Sequence, residues 1–189
     1  MNKQITEILN FIEHERQQLI VGVENLSQTQ FDFRPVEEAW SIGEILDHLH
    51  LSESGVAKII KMNVSRAAKS DAAARAGNAG DWATSLDQYK IENATRKLKA
   101  MEQIVPRAKL KKDEILDSLK RSRVELVEAA HAAADYDFAQ MNFPHPLLGA
   151  LNLYQWVRFI GKHELRHLNQ IVAVTRDSNF PASEAAQAS

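Results

Sequence analysis

Apolar residues recur along this chain at spacings of three, four and seven, a period that suits helices and fits no strand. From residue 5 they fall at Ile5, Ile8, Leu9, Ile12, Leu19, Ile20, Val23 and Leu26, which places one apolar stripe down one side of a helix. The same arithmetic predicts a second helix from residue 41 to about 67 through Ile42, Ile45, Leu46 and Leu49. A third covers about residues 112–134 through Ile115, Leu116, Leu119, Leu126, Val127 and Ala130. The last runs over residues 153–176 through Leu153, Trp156, Val157, Ile160, Ile171 and Val174. Two of the four carry a start signal. Ser41 is followed three residues later by Glu44, and Asn152 by Gln155, so each pair can exchange side-chain and backbone hydrogen bonds across the first turn.

The intervals are of a different character. Residues 27–40 contain Pro35 and no period, and read as a connection. Residues 68–81 hold no side chain larger than Ala that could be buried, which predicts a mobile loop. A weak stripe of Leu86, Ile91, Leu98, Met101 and Ile104 predicts a shorter helix over residues 86–105, outside the main core and ended by Pro106. Residues 136–150 are extended and turn-rich, and residues 177–189 offer few apolar groups, so the tail is expected to fray. Glycine is scarce at 7 and alanine abundant at 25, in keeping with helices. The expected architecture is all-α: a four-helix bundle forming one domain over residues 1–176. A long crossover connection is expected between the second and third main helices.

Composition narrows the chemistry. With 23 Lys+Arg against 25 Asp+Glu the formal charge is -2, which argues against an electrostatic grip on nucleic acid or on an anionic membrane. The first residues lack a secretory signal pattern, and no run of 18 apolar residues exists to span a bilayer, so a cytoplasmic protein is expected. The chain has no cysteine, which excludes thiolate nucleophiles of its own and every sulfur-based metal site. Any metal must sit on His, Asp or Glu.

Seven histidines are present, and two of them, His163 and His167, stand four residues apart on the last helix. Helical spacing puts both in or beside the buried stripe formed by Ile160, Ile171 and Val174. Two imidazoles one turn apart can chelate a divalent ion; by the residues alone, a hydrogen-bonded core pair is the alternative. His48 lies near the rim of the second helix's apolar face, within reach of the last helix in a bundle. His50 is 200° round from it on an ideal helix, so both cannot face one site. His14 sits in a charged context, His131 and Asp135 form a further i,i+4 pair near a helix end, and His145 lies in the loop before the last helix. Asp47, Glu164 and Gln170 neighbour the candidate ligands and could orient them or relay protons.

The strings WSIGEILDHL at residues 40–49 and KHELRHLNQI at residues 162–171 resemble the two hallmark segments of the DinB-like (damage-inducible) four-helix proteins. HPLLGALNLYQWVRFI at residues 145–160 is similar to that family's approach to its last helix. The similarity runs from the first helix to about Arg176 and is weakest over residues 68–105. It implies a three-histidine metal site, in which the histidine eight residues after the helix-start tryptophan, His48 after Trp40, joins His163 and His167. It also implies a divalent metal, whether Zn, Ni, Fe or Mn, and frequent homodimers. Characterised relatives include transferases that use low-molecular-weight thiols such as bacillithiol, mycothiol or glutathione, and a thiol-dependent isomerase.

Three neutral imidazoles bring no charge compensation, so an ion among them keeps its full charge and polarises whatever reaches it. Such a site suits a metal-dependent transferase that takes its thiol from a small cofactor and acts on a small-molecule substrate, in stress response or detoxification. A hydrolase acting through activated water, and a non-catalytic ligand-binding bundle stapled by metal, are the other readings. Trp40 and Trp156 are candidate pocket walls.

Overall fold

The structure is a computed structural model that describes residues 3–69, 86–93, 100–106 and 111–183. Four long helices dominate: α1 (Lys3–Val23), α3 (Ile42–Lys69), α4 (Lys112–Ala132) and α5 (Leu153–Thr175). A single-turn helix, α2 (Gln28–Asp32), lies between the first two. The start signals read from the sequence operate. Glu44 N donates to Ser41 Oγ at 3.3 Å while Ser41 N donates to Glu44 Oε2 at 2.8 Å. Gln155 N and Asn152 Oδ1, and Asn152 N and Gln155 Oε1, each meet at 2.9 Å.

The apolar stripes divide into two clusters, and their membership fixes the helix directions. One cluster joins Ile5, Ile8 and Ile12 to Val56 and Ile60, to Leu126 and Ala130, and to Leu153, Val157 and Ile160. The other joins Leu19 and Val23 to Ile42, Ile45 and Leu49, to Ile115 and Leu119, and to Ile171 and Val174. The start of α1 therefore lies with the end of α3, the end of α4 and the start of α5. It follows that α1 and α5 run parallel, and that α3 and α4 run parallel to each other and opposite to that pair. The main packing partners are α3 with α4 and α1 with α5, with α3 also meeting α5. Two consecutive parallel helices need a return along the bundle, and this is why the connection over residues 70–111 is long.

Several expectations need correction. The sequence showed no strand pattern, yet β1 (Asn142–His145) and β2 (Gly149–Asn152) form an antiparallel hairpin pairing Phe143 with Leu151. Strands of four residues are too short to reveal a period of two, and Pro146 and Gly149, the latter at φ 79°, signal a turn without showing that strands flank it. No α-helix spans the described parts of residues 86–105. Asp87–Tyr89, Ile91–Asn93 and Glu102–Ile104 are 3₁₀ turns, and Lys90 between the first two is left-handed at φ 44°, a conformation an α-helix cannot contain. Nor does this segment stay outside: Leu86 and Ile91 enter the first cluster. Residues 27–40 are not all connection, because Ser27 and Gln30 cap α2. The tail is anchored up to residue 183: Phe180 packs edge-on against Phe33 at 5.4 Å, and Gln30 Nε2 donates to the Pro181 carbonyl at 2.8 Å. Of the loop expected at residues 68–81, α3 takes the first two; residues 70–81 and 184–189 lie outside the described residues.

Between the two apolar clusters lies a layer of buried charge to which every long helix contributes one residue: Arg16, Glu53, Arg123 and Glu164. Beside this layer the histidines of α3 and α5 meet.

Candidate metal centre

His48 is positioned by the capped start of α3, two turns after Ser41, and its backbone carbonyl accepts from Ser52 Oγ at 2.8 Å. His163 and His167 stand one turn apart on α5. All three are buried. His48 Nε2 lies 3.2 Å from His163 Nε2, and His167 Nε2 lies 3.1 Å from the same nitrogen. One ligand atom from each of the three lies within 4.8 Å of the others.

The outer nitrogens settle which way these rings present themselves. His48 Nδ1 is 2.7 Å from the Ile104 carbonyl oxygen, which can only accept, so Nδ1 carries the proton. His167 Nδ1 meets Gln170 Oε1 at 2.9 Å and donates in the same way. Burial pushes the pKa of His48 down, and an imidazole that stays neutral with Nδ1 protonated has a bare lone pair on Nε2. His167 is pushed down to about 3, by burial first and then by the neighbouring His48. His163 is held well below its ordinary value by burial, then by His167 and His48.

Two lone pairs are thus aimed at His163 Nε2, whose single possible hydrogen can satisfy only one. His163 Nδ1 is buried and has no hydrogen-bond partner among the described residues. A divalent cation at the point of convergence would satisfy all three lone pairs at once. Ligand nitrogens about 2.0–2.1 Å from a tetrahedral zinc ion stand roughly 3.3 Å apart, close to the 3.2 and 3.1 Å that separate His163 Nε2 from the other two. The residues therefore fit an ion, and the absence of a carboxylate from the set leaves its charge uncompensated.

Aromatic rings wall this point. Phe159 stacks on His163 with centroids 5.0 Å apart and planes 18° from parallel. Trp40 lies 4.9 Å from the His48 ring, as its candidacy for a pocket wall requires. Trp156 is one ring further out, 6.0 Å from Phe159, and its indole N–H donates to the Phe143 carbonyl at 3.0 Å.

The remaining candidates separate cleanly. His14, His131 and Asp135 are exposed and His50 is outside the cluster. His145 does not join it either: its Nδ1 accepts from the amides of Leu147 and Leu148, both at 3.2 Å, and so closes the hairpin turn. Burial lowers its pKa to about 4, which keeps that acceptor unprotonated. Of the three orienting candidates, Gln170 holds His167, and Asp47 is buried beside His48 with a charge that opposes the lowering of its pKa. Glu164 makes no hydrogen bond to a histidine among the described residues: Oε1 is taken by Arg16 and Arg123, and the buried Oε2 has no partner. Glu44 is used by the cap of α3 and by Arg34.

Sequence reasoning missed the Ile104 carbonyl, a backbone group 56 positions from its partner that no side-chain pattern announces. It also missed the charged layer, for which a signal existed. Arg16 lies four residues after Ile12 and three before Leu19, Glu53 likewise between Leu49 and Val56, and Arg123 between Leu119 and Leu126. A charge on an apolar stripe at those offsets must be buried and paired.

The chain is similar to known proteins over most of its length. A sequence model described as the DinB superfamily matches residues 12–171. A Bacillus subtilis (strain 168) protein described as uncharacterized protein YuaE is 29% identical over 149 residues, 79% of this chain and 85% of that one. The crystal structure of TT2238, described as a four-helix bundle protein, superposes with a TM-score of 0.60 at 22% identity, covering 89% of this chain and 98% of that one.

Proposed function

This chain belongs to the DinB superfamily, and we propose that it is a divalent-metal-dependent transferase of that superfamily, with His48, His163 and His167 as the metal ligands and a low-molecular-weight thiol as co-substrate. The observation that carries this reading is the convergence of three neutral Nε2 atoms, two of them fixed in their tautomer by Ile104 and Gln170. A divalent ion held there supplies Lewis-acid chemistry, lowering the pKa of a thiol or water that reaches it.

The chain's own groups set what can use that chemistry. It has no cysteine, so the nucleophilic sulfur comes from the co-substrate. The three rings stay neutral at neutral pH and serve as ligands instead of general acids. Phe159 and Trp40 present apolar faces beside them, which favours an electrophile with an apolar body and keeps bulk water from the reacting atoms. No helix among the described residues is long and apolar enough to cross a membrane. We place the protein in the cytoplasm, where small thiols are kept reduced, acting as a homodimer in stress response or detoxification.

The test is turnover of an electrophilic probe by metal-loaded protein with and without bacillithiol, mycothiol or glutathione. Turnover requiring both metal and one thiol is expected. Turnover indifferent to every thiol would replace the transferase with a hydrolase. Metal binding without turnover of a broad electrophile panel would leave a ligand-binding bundle. The elution volume of the untagged protein over a concentration series tests the dimer.

A further inference from the structure

The charged layer joins all four long helices through directional bonds. Arg16 of α1 reaches Glu53 of α3 at 2.9 Å and Glu164 of α5 at 2.8 Å. Arg123 of α4 reaches the same two carboxylates at 2.6 and 2.9 Å. The remaining guanidinium nitrogens are bonded as well: Arg16 Nη1 donates to the Leu119 carbonyl at 2.7 Å, and Arg123 Nη1 to the Ile12 carbonyl at 2.6 Å. Ser122 Oγ donates to Glu53 at 2.5 Å. Glu53 and Glu164 are 0% and 1% exposed, so the carboxylates of the layer are buried, while at its edge Arg123 Nη1 also reaches the half-exposed Glu13 at 3.3 Å. Burial alone lowers the pKa of Arg16, but Glu164 and Glu53 outweigh it and the net shift is upward.

A layer of this kind is a poor way to gain stability. Buried ion pairs recover little more than their desolvation cost, and well-packed apolar residues in their place are often neutral or stabilising. What the layer provides is geometry. The apolar clusters on either side are non-directional and tolerate small slides and rotations of one helix against another, whereas forked guanidinium bonds do not. Its position matters for the histidines. Glu164 directly follows His163, and Glu53 is five residues after His48, about 7.5 Å along α3. The two carboxylates are carried by the same two helices that carry the ligands, and both are clamped by the same two arginines.

We propose that Arg16, Glu53, Arg123 and Glu164 are positioning residues for the metal centre, locking α3 and α5 in the axial register and rotation that bring His48 Nε2 to the nitrogens of His163 and His167. The proposal rests on the reading of those histidines as ligands. It predicts that stability and metal affinity can be separated.

The experiment compares the untagged wild type with the fourfold variant Arg16→Met, Glu53→Leu, Arg123→Met, Glu164→Leu and with the charge-conserving Arg123→Lys and Arg16→Lys. Helicity, melting temperature and the Zn(II) dissociation constant by chelator competition are measured for each. The absorption spectrum of the Co(II) form reports ligand geometry without any assay of activity. The fourfold variant is expected to stay helical with an unchanged or raised melting temperature while its Zn(II) affinity falls ten-fold or more. Each Lys variant, which keeps the charge and loses the fork, should show weakened affinity and an altered Co(II) spectrum. A folded fourfold variant with wild-type affinity and spectrum overturns the proposal. If that variant does not fold, Lys variants with wild-type affinity and spectrum overturn it. A wild type that binds no metal removes the ligand reading itself and this proposal with it, whereas a binding wild type with indifferent variants removes only the proposal.

Discussion

His48 Nε2 and His163 Nε2 lie 3.2 Å apart although 115 positions separate them in the chain. His48 donates its Nδ1 hydrogen to the Ile104 carbonyl and so has none to offer on Nε2, and a hydrogen on His163 Nε2 could serve either His48 or His167 but not both. This convergence of lone pairs inside an apolar wall is the source of the first three predictions below.

Gln170 is exposed, and its contribution is the bond to His167 Nδ1. Gln170→Ala should leave the melting temperature of the metal-free protein within experimental error and weaken metal binding about ten-fold or more, as loss of a ligand-orienting group does. Chelator competition measures it, and an unchanged dissociation constant would count against the assigned tautomer.

Metal should act as a folding ligand. At a free concentration about 1,000 times its dissociation constant, an ion that binds only the folded chain adds about 4 kcal/mol. Denaturant titrations with Zn(II) and with a chelator should differ by this order, and the difference should vanish in His163→Ala. An equal shift in that variant would place the metal elsewhere.

The metal-free chain should lose stability on mild acidification. His167 has a folded pKa of about 3 against an ordinary value near 6.5, so the unfolded chain binds the extra proton between those values. The contribution is complete above about pH 6.5 and is lost progressively as the pH falls toward 3, at up to about 1.4 kcal/mol per pH unit. His48 and His163 shift in the same direction. Thermal melts in chelator from pH 7.5 to 4 should fall, less steeply in His167→Gln; a parallel slope in the variant would refute the assignment.

Helices α1 and α5 approach closely at Gly161, where an added methyl would sit 2.5 Å from Phe11 Cε1. Phe11 also lies under the Arg158 guanidinium at 4.9 Å. Gly161→Ala should therefore cost about 1–3 kcal/mol by overpacking, even though alanine favours helix. A stabilised variant would mean that the ring moves aside freely.

Much of this was legible in advance because helices announce themselves by period. The stripes and the two capping boxes could be read from Ser41, Asn152 and the apolar spacing alone, the crossover from the length of the connection between the second and third main helices, and the positions of His163 and His167 on a buried face from counting turns. His48 came from its offset to Trp40 in a resembled motif, since helix geometry placed it only near a rim. What stayed hidden were features made by backbone or by tertiary partners. The hairpin around Gly149 is too short for periodicity, the 3₁₀ turns near Lys90 follow from a left-handed residue without glycine, and the Ile104 carbonyl is invisible to any side-chain pattern. Glu164 was misplaced for a different reason: its neighbours in sequence suggested the histidines, while its partners in space are arginines from two other helices.

The central claim is that three imidazoles share one cation, and metal content tests it most directly. Protein purified without a polyhistidine tag, loaded with divalent metal and freed of excess, should carry about one equivalent per chain by elemental analysis, and His167→Ala should carry almost none while remaining helical. A wild type with no bound metal, or a variant that retains its full complement, would contradict the account.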